Sequence, residues 1–291
     1  MSKDYIIKVK ANLSIYSRQR TLNILEGSYV SIYKGRSMDF DDLRPYVAGD
    51  NIKDIDWKSS SRSRNLLVRR FVAEKRHNCL FVLDTGNKMN GDSISGESKK
   101  EISLMTLGTL AYIINKHGDE FATIYNKNNS FEYSYFKTGM YNIENMLNKY
   151  DVDITQDSEN SIADTLEYVF KSIRKKMIIF IITDLEGMEK MNPNSLKKLS
   201  EYNDVMIINV DDAYLTGDSA FDMDSAKYTP YLLLKSEKLH ELEREDRKQR
   251  KEKIEKEFRN NRATVVSIGG IKEIVPKIIE LLERHKNENF R

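Results

Sequence analysis

The chain has 291 residues, and its 47 Lys/Arg against 45 Asp/Glu leave a net charge of +2. That balance excludes a globally basic nucleic-acid binder and a globally acidic tail protein, and 40% hydrophobic residues with 10% aromatics exclude disorder. Cys79 is the single cysteine, so no internal disulfide can form and a reducing compartment is indicated. The longest clean apolar run, residues 177–182, is far short of the about 20 residues that span a bilayer. The opening MSKDYIIKVKAN lacks the small-residue cleavage site of a secretory signal. A soluble, cytoplasmic chain with no integral membrane segment is expected.

Charge is divided unevenly along the chain. Residues 1–78 carry 16 Lys/Arg against nine Asp/Glu, whereas residues 79–291 carry 31 against 36. The excess concentrates at 53–76, where eight basic residues face three acidic ones. The preferred reading is an N-terminal segment, 1–78, that packs on its own more acidic domain; the competing one is a phosphate-binding arm.

From residue 79 onward the pattern alternates between strands and helices. CLFVLD is a continuous apolar run, as in a parallel strand buried on both faces. Ile102, Met105, Leu107, Leu110, Ile113 and Ile114 follow at helical spacing. Residues 121–125 and 131–136 flank NKNNS, whose asparagines suit a hairpin turn. Another helical stripe runs through Ile162, Leu166, Val169, Phe170 and Ile173, and MIIFIITD then gives the most strand-like segment. DVMIINVDD repeats that pattern, ATVVSIGG closes it, and a final amphipathic helix runs through Ile274, Ile278 and Leu281. The order predicts an α/β domain at 79–291 built on a doubly wound, mostly parallel sheet, with neighbouring strands at 79–84, 177–183 and 205–210. Residues 211–230 form a polar excursion, read as a hairpin or a functional loop. Residues 235–262 hold eleven basic and eight acidic residues without Gly or Pro, which predicts a long helix steadied by i,i+4 charge pairs.

Ligands of such sheets gather at the carboxyl ends of the strands. Asp84 and Asp184 end two of them, and Asp211 and Asp212 follow a third. Repeated aspartates suit a hard cation, though aspartate also serves there as a helix cap or turn residue. No phosphate-binding glycine loop, metalloprotease helix or nucleophile elbow occurs. His77, His117, His240 and His285 show no ligand spacing and read as surface or helix residues, and Cys79 reads as inert in a buried strand.

Residues 35–89 contain GRSMDFDDLRPYVAGDNIKDIDWKSSSRSRNLLVRRF and then VLDTGNKM. The ordered set Gly35, Phe40, Arg44, Tyr46, Gly49-Asp50, Asp56-Trp57, Arg62, Leu67-Val68-Arg69, Asp84 and Met89 closely resembles the bacterial "domain of unknown function 58" family. These are von Willebrand A-like proteins commonly encoded beside MoxR-type AAA+ ATPases. Within the signature, Gly49-Asp50 suits a tight turn, and Trp57 is expected to be a buried anchor joining an N-terminal brace to the sheet. Arg44, Arg62 and Arg69 are expected to pair with Asp39, Asp50 or Asp56, as a brace or as a partner surface.

The resemblance also implies a metal-ion-dependent adhesion site, Asp-x-Ser-x-Ser after the first strand with a loop Thr and a later Asp. Asp84 and Asp184 match its first and last aspartates. Gly86 and Lys88 stand where the serines belong, and the threonine position falls near Asn160 or Ser161. The site is thus degenerate, no cofactor is expected, and Mg²⁺ would lack its hydroxyl ligands. Lys88 is expected to replace the ion by bridging toward Asp84 and Asp184, against the alternative that it points to solvent. The resemblance implies a non-enzymatic adaptor working with a MoxR-type ATPase on protein clients. The alternatives are a metal-dependent hydrolase using Asp84 and Asp184, and a nucleic-acid module using 53–76.

Overall fold

A computed structural model describes residues 4–15, 19–34, 40–63, 65–71, 77–128, 130–154, 161–216, 221–222, 227–228 and 236–289. The chain divides into two compact units, Met1–Tyr29 with His77–Arg291, and Val30–Arg76.

The larger unit is built on a six-stranded sheet in the order β10-β7-β6-β3-β4-β5. Its strands are β3 (Asn78–Leu83), β4 (Glu120–Lys127), β5 (Ser130–Tyr133), β6 (Ile178–Thr183), β7 (Asp204–Val210) and β10 (Ala263–Ile268). All pairings are parallel except β4 with β5. The doubly wound, mostly parallel sheet read from the sequence is present, with β7, β6 and β3 side by side. The β4–β5 turn falls at the asparagines of NKNNS, and Asn128 takes a left-handed φ of 50°.

Unbroken runs of branched apolar residues explain the central strands, since both faces are covered. One face, with Val82, Ile181 and Ile207, packs with Leu166 and Val169 of α6 (Ile162–Ser172), Leu196 and Leu199 of α8 (Pro193–Tyr202), and Phe258 of α9 (Glu237–Asn260). On these strands Phe81 and Phe180 stack at 5.5 Å. Helices α4 (Lys99–Lys116) and α10 (Ile274–Asn289) also pack on the sheet. Helix α5 (Met140–Asp153) and the short α7 (Leu185–Lys190) complete the helical layers.

Helix α1 (Tyr5–Ile15) buries Tyr5, Val9 and Leu13 and packs on α4 and α5, and α2 (Gln19–Lys34) follows it. The 1–78 segment read from the charge division is therefore not a single piece. Its first 29 residues belong with the sheet, because α1 supplies apolar side chains to that core. The 211–230 excursion contains the expected hairpin, β8 (Phe221–Asp222) against β9 (Lys227–Tyr228). The long helix is present as α9, with Arg247–Glu243 and Arg250–Asp246 as its i,i+4 pairs at 3.1 and 3.6 Å.

The smaller unit pairs β1 (Phe40–Pro45) with β2 (Leu67–Phe71) in antiparallel fashion and carries the short α3 (Trp57–Ser63). Asp50 closes a turn as expected. Its carboxylate accepts the Val47 N–H at 2.9 Å and takes both guanidinium nitrogens of Arg44 at 2.8 and 2.6 Å. Gly49 in that turn has φ 111°, a conformation that disfavours any residue with a Cβ. Asp56 caps α3 by accepting the Ser59 N–H at 2.9 Å. Arg62 is exposed and makes no ion pair with Asp50 or Asp56, and the Arg69 side chain and Asp39 lie outside the described residues. Trp57 is a correction. The residue is 63% exposed, and Ile55 and Val68 form the interior instead, since so small a unit has little volume in which to hide an indole.

Candidate functional site

Parallel register sets the site. Leu83 stands beside Ile182, and Ile182 beside Ile208, so β3, β6 and β7 end level with one another. The next residues, Asp84, Thr183-Asp184 and Asp211-Asp212, therefore crowd one edge of the sheet. The strand-end convergence expected for Asp84 and Asp184 is present.

Each carboxylate at this edge is held by short local geometry. Asp84 accepts the Gly86 N–H at 2.9 Å on one oxygen and the Thr183 hydroxyl at 2.6 Å on the other. Asp184 caps α7 by accepting the Gly187 N–H at 2.8 Å. Gly187 is required by close approach, because a Cβ there would stand 2.0 Å from Thr183 Oγ1 and 2.9 Å from Asp84 Oδ2. Tyr150 donates its hydroxyl to the Asp84 carbonyl at 2.8 Å and ties α5 to the same corner.

The cation among these groups is Lys99, at the start of α4. Its ammonium donates to Asp184 Oδ2 at 2.7 Å and to Asp212 Oδ1, and its side chain is 1% exposed. Helical phase puts it there, since Lys99 lies three residues before Ile102 and seven before Thr106 on the buried side of α4. Burial works against its charge, but Asp184 and Asp212 outweigh burial and hold its pKa above the ordinary lysine value. Burial likewise opposes the charge on Asp184, yet Lys99 keeps that carboxyl below the usual range. Asp84 lacks a direct cation, and burial together with the nearby Asp184 charge pushes it up to about 6.

Lys88 does not bridge the two aspartates. The 3₁₀ turn that carries it aims its amine at Glu186, with which it forms an ion pair. Ser161 caps α6 by accepting the Asp164 N–H at 3.3 Å, Gly86 offers only its backbone N–H, and Asn160 lies outside the described residues. The residues present do not fit a divalent ion: both Asp84 oxygens are engaged, Asp184 faces an ammonium, and the hydroxyl ligands are missing. Among the described residues, no group of three or more His, Cys, Asp or Glu is placed to hold a metal.

Helix α9 closes the outer side of this edge. Lys251 donates to Asp211 at 3.0 and 3.2 Å, and Arg247 donates to the Asp212 and Ala213 carbonyls while its guanidinium lies 4.4 Å from the Tyr214 ring centre. A cavity of about 580 Å³ opens between them, lined in part by Ile94, Asp211, Tyr214, Arg244 and Lys248. Sequence reasoning found the aspartates but missed Lys99, Thr183 and Gly187, although the helical phase of Lys99 with Ile102 and Thr106 was legible.

The sequence profile described as "Protein of unknown function DUF58" matches residues 42–263. No curated protein matches the chain. Among solved structures, the conserved hypothetical protein BatB from Bacteroides thetaiotaomicron is 15% identical, with a TM-score of 0.47, covering 72% of this chain and 99% of that one. An aerotolerance-related membrane protein from Bacteroides fragilis is 10% identical, with a TM-score of 0.46 and the same two coverages, 72% and 99%. A von Willebrand factor type A protein from Catenulispora acidiphila is 7% identical, with a TM-score of 0.41, covering 76% of this chain and 44% of that one. Scores below 0.5 leave the chemistry of the site to be argued from its own atoms.

Proposed function

Starting from the fact that the chain belongs to the DUF58 family, we propose that it is a non-enzymatic adaptor whose partner is a MoxR-type AAA+ ATPase acting on protein clients. Its metal-ion-dependent adhesion site is degenerate on this reading. One observation carries it: Asp84 and Asp184 are turned inward onto backbone amides, Thr183 and Lys99, so neither is offered to a substrate. What the same edge offers to solvent is a rim of mixed charge, with exposed Arg244 and Lys248 beside exposed Glu241 and Glu245. Arg244 and Lys248 border the 580 Å³ cavity, are exposed, and have no ion-pair partner among the described residues. A segment of the ATPase carrying both signs of charge, with acidic groups placed for Arg244 and Lys248, suits this rim.

The smaller unit supports partner binding in its own right, because Val47, Ile52, Trp57 and Leu66 are 61%, 65%, 63% and 48% exposed beside Lys58 and Arg62. No helix among the described residues is long and apolar enough to cross a membrane, and a cytoplasmic site of action is part of the proposal.

The test is co-purification of the tagged chain with a purified MoxR-type ATPase, with and without ATP. Retention that is lost in the double variant R244E/K248E is the expected result. Absence of retention overturns the reading. So does turnover of phosphoester substrates with Mg²⁺ or Mn²⁺ that disappears in Asp184→Asn, because that is the outcome the hydrolase alternative requires.

A further inference from the structure

The strand-end aspartates pose an electrostatic problem that the fold has to solve with its own atoms. Asp184 is 2% exposed, Asp84 is 7% exposed, and the side chain of Asp212 is only 34% exposed. Buried carboxylates this close repel one another unless a positive charge stands between them. In a metal-dependent adhesion site a divalent ion supplies that charge and leaves an open position for a partner's carboxylate. Here the positive charge is covalently attached to α4.

We propose that Lys99 is a tethered internal cation that takes the place of the divalent ion, so that the site is permanently closed and independent of metal. Three observations converge on this. The Lys99 ammonium reaches two carboxylates contributed by different strands, Asp184 at 2.7 Å and Asp212. It is 1% exposed, in a chain where lysines are ordinarily at the surface. It is also fixed from behind, since its backbone N–H donates to the Gly91 carbonyl at 3.0 Å and its carbonyl accepts the Ser103 hydroxyl at 2.8 Å. Lys88 pairs with Glu186 and adds to the field at Asp184 only from a distance, so the direct contact is made by Lys99. An ammonium only 1% exposed and held between two carboxylates is out of reach of a partner's acidic group at this point. Partners must therefore engage neighbouring surface.

The inference rests on reading the aspartates as a site that has lost its ion, and on nothing said about the ATPase. A failed co-purification would leave it untouched. The experiment is thermal unfolding of the full chain in EDTA, in Mg²⁺ and in Mn²⁺ at millimolar concentrations. The wild-type melting temperature is expected to be the same in all three. Lys99→Ser removes the ammonium and adds a hydroxyl ligand; it should melt lower in EDTA and recover by about 3 °C or more in Mn²⁺, the shift expected when an ion prefers the folded state. Lys88→Ser should show no such recovery. A wild-type melting temperature that rises with Mg²⁺ or Mn²⁺ overturns the proposal, as does a folded Lys99→Ser protein that ignores both ions. Should Lys99→Ser fail to fold, Lys99→Met combined with Asp184→Asn decides: removing charge on both sides should restore a cooperative transition that Lys99→Met alone lacks, and no restoration counts against the ammonium's role.

Discussion

At the end of the sheet where β3, β4 and β7 begin, carboxylates are also buried, but they stand apart. Asp119 accepts the His77 N–H at 2.8 Å and the Tyr29 hydroxyl at 2.9 Å. Asp204 faces His285 Nε2 at 3.3 Å, and His285 Nδ1 meets the Thr264 hydroxyl at 2.9 Å. Each has its own polar partners and no carboxylate among them. At the opposite end Asp184 and Asp212 share one ammonium, and Asp84 lies beside them without a cation of its own. The physical result is opposite in sign. Burial opposes the charge on Asp119, yet His77 and Tyr29 hold it below the usual carboxylate range, whereas burial and Asp184 push Asp84 up to about 6. Burial alone does not set a carboxyl's pKa; the count of charges and donors around it does.

The sharpest way to break this contrast is steric. Gly187→Ala should cost about 3 kcal/mol, because its Cβ displaces the Thr183 hydroxyl from Asp84 and overpacks the strand-end corner. Denaturant melts check it, and an effect below about 1 kcal/mol would mean the corner is soft. At the other end, His285→Leu should cost about 2 kcal/mol, since it removes one buried ring nitrogen from Asp204 and the other from the Thr264 hydroxyl.

A pH series sharpens the comparison further. Asp84 titrates at about 6 when folded and near the ordinary value of 3.8 when unfolded, so the stability it lends is complete below pH 4 and lost as the pH rises through 6. Wild type should therefore lose about 1 kcal/mol relative to Asp84→Asn between pH 5 and pH 7.5. Asp119→Asn should show the reverse slope. Its depressed pKa lends stability above the ordinary range that disappears as the pH falls through the folded value, so the advantage of wild type shrinks on acidification. Equal slopes in the two variants would remove the distinction between the two ends. The smallest effect belongs to the surface: Arg250 is 46% exposed in its pair with Glu189 at 2.6 Å, and Arg250→Ala should cost no more than about 1 kcal/mol.

The sheet was legible in the sequence because strands buried on both faces need unbroken apolar runs, as β6 has from Ile178 to Ile182 and β7 from Val205 to Ile208. Asp84 was legible for the same reason, as the first polar residue after such a run, and Asp184 as the first charged residue after another. The cation was not. Nearness in sequence favoured Lys88, four residues after Asp84, but the 3₁₀ turn through Asn87–Asn90 carries that amine to Glu186. Lys99 is separated from Asp84 by a loop whose path the sequence does not state, and Lys100 beside it makes the pair look like ordinary surface charge. Only its phase with Ile102 and Thr106 marks it as internal. Trp57 misled in the opposite way, because size and hydrophobicity predict burial only where there is an interior large enough to receive them.

Asp119 has a mechanical consequence. The Val30–Arg76 unit leaves the sheet domain after Tyr29 and returns at His77, and both of those residues donate to the one carboxylate of Asp119. The two points where the chain crosses between the units therefore meet at one side chain. Asp119 acts as a hasp across them: parting α2 at Tyr29 from the start of β3 at His77 means breaking its hydrogen bonds.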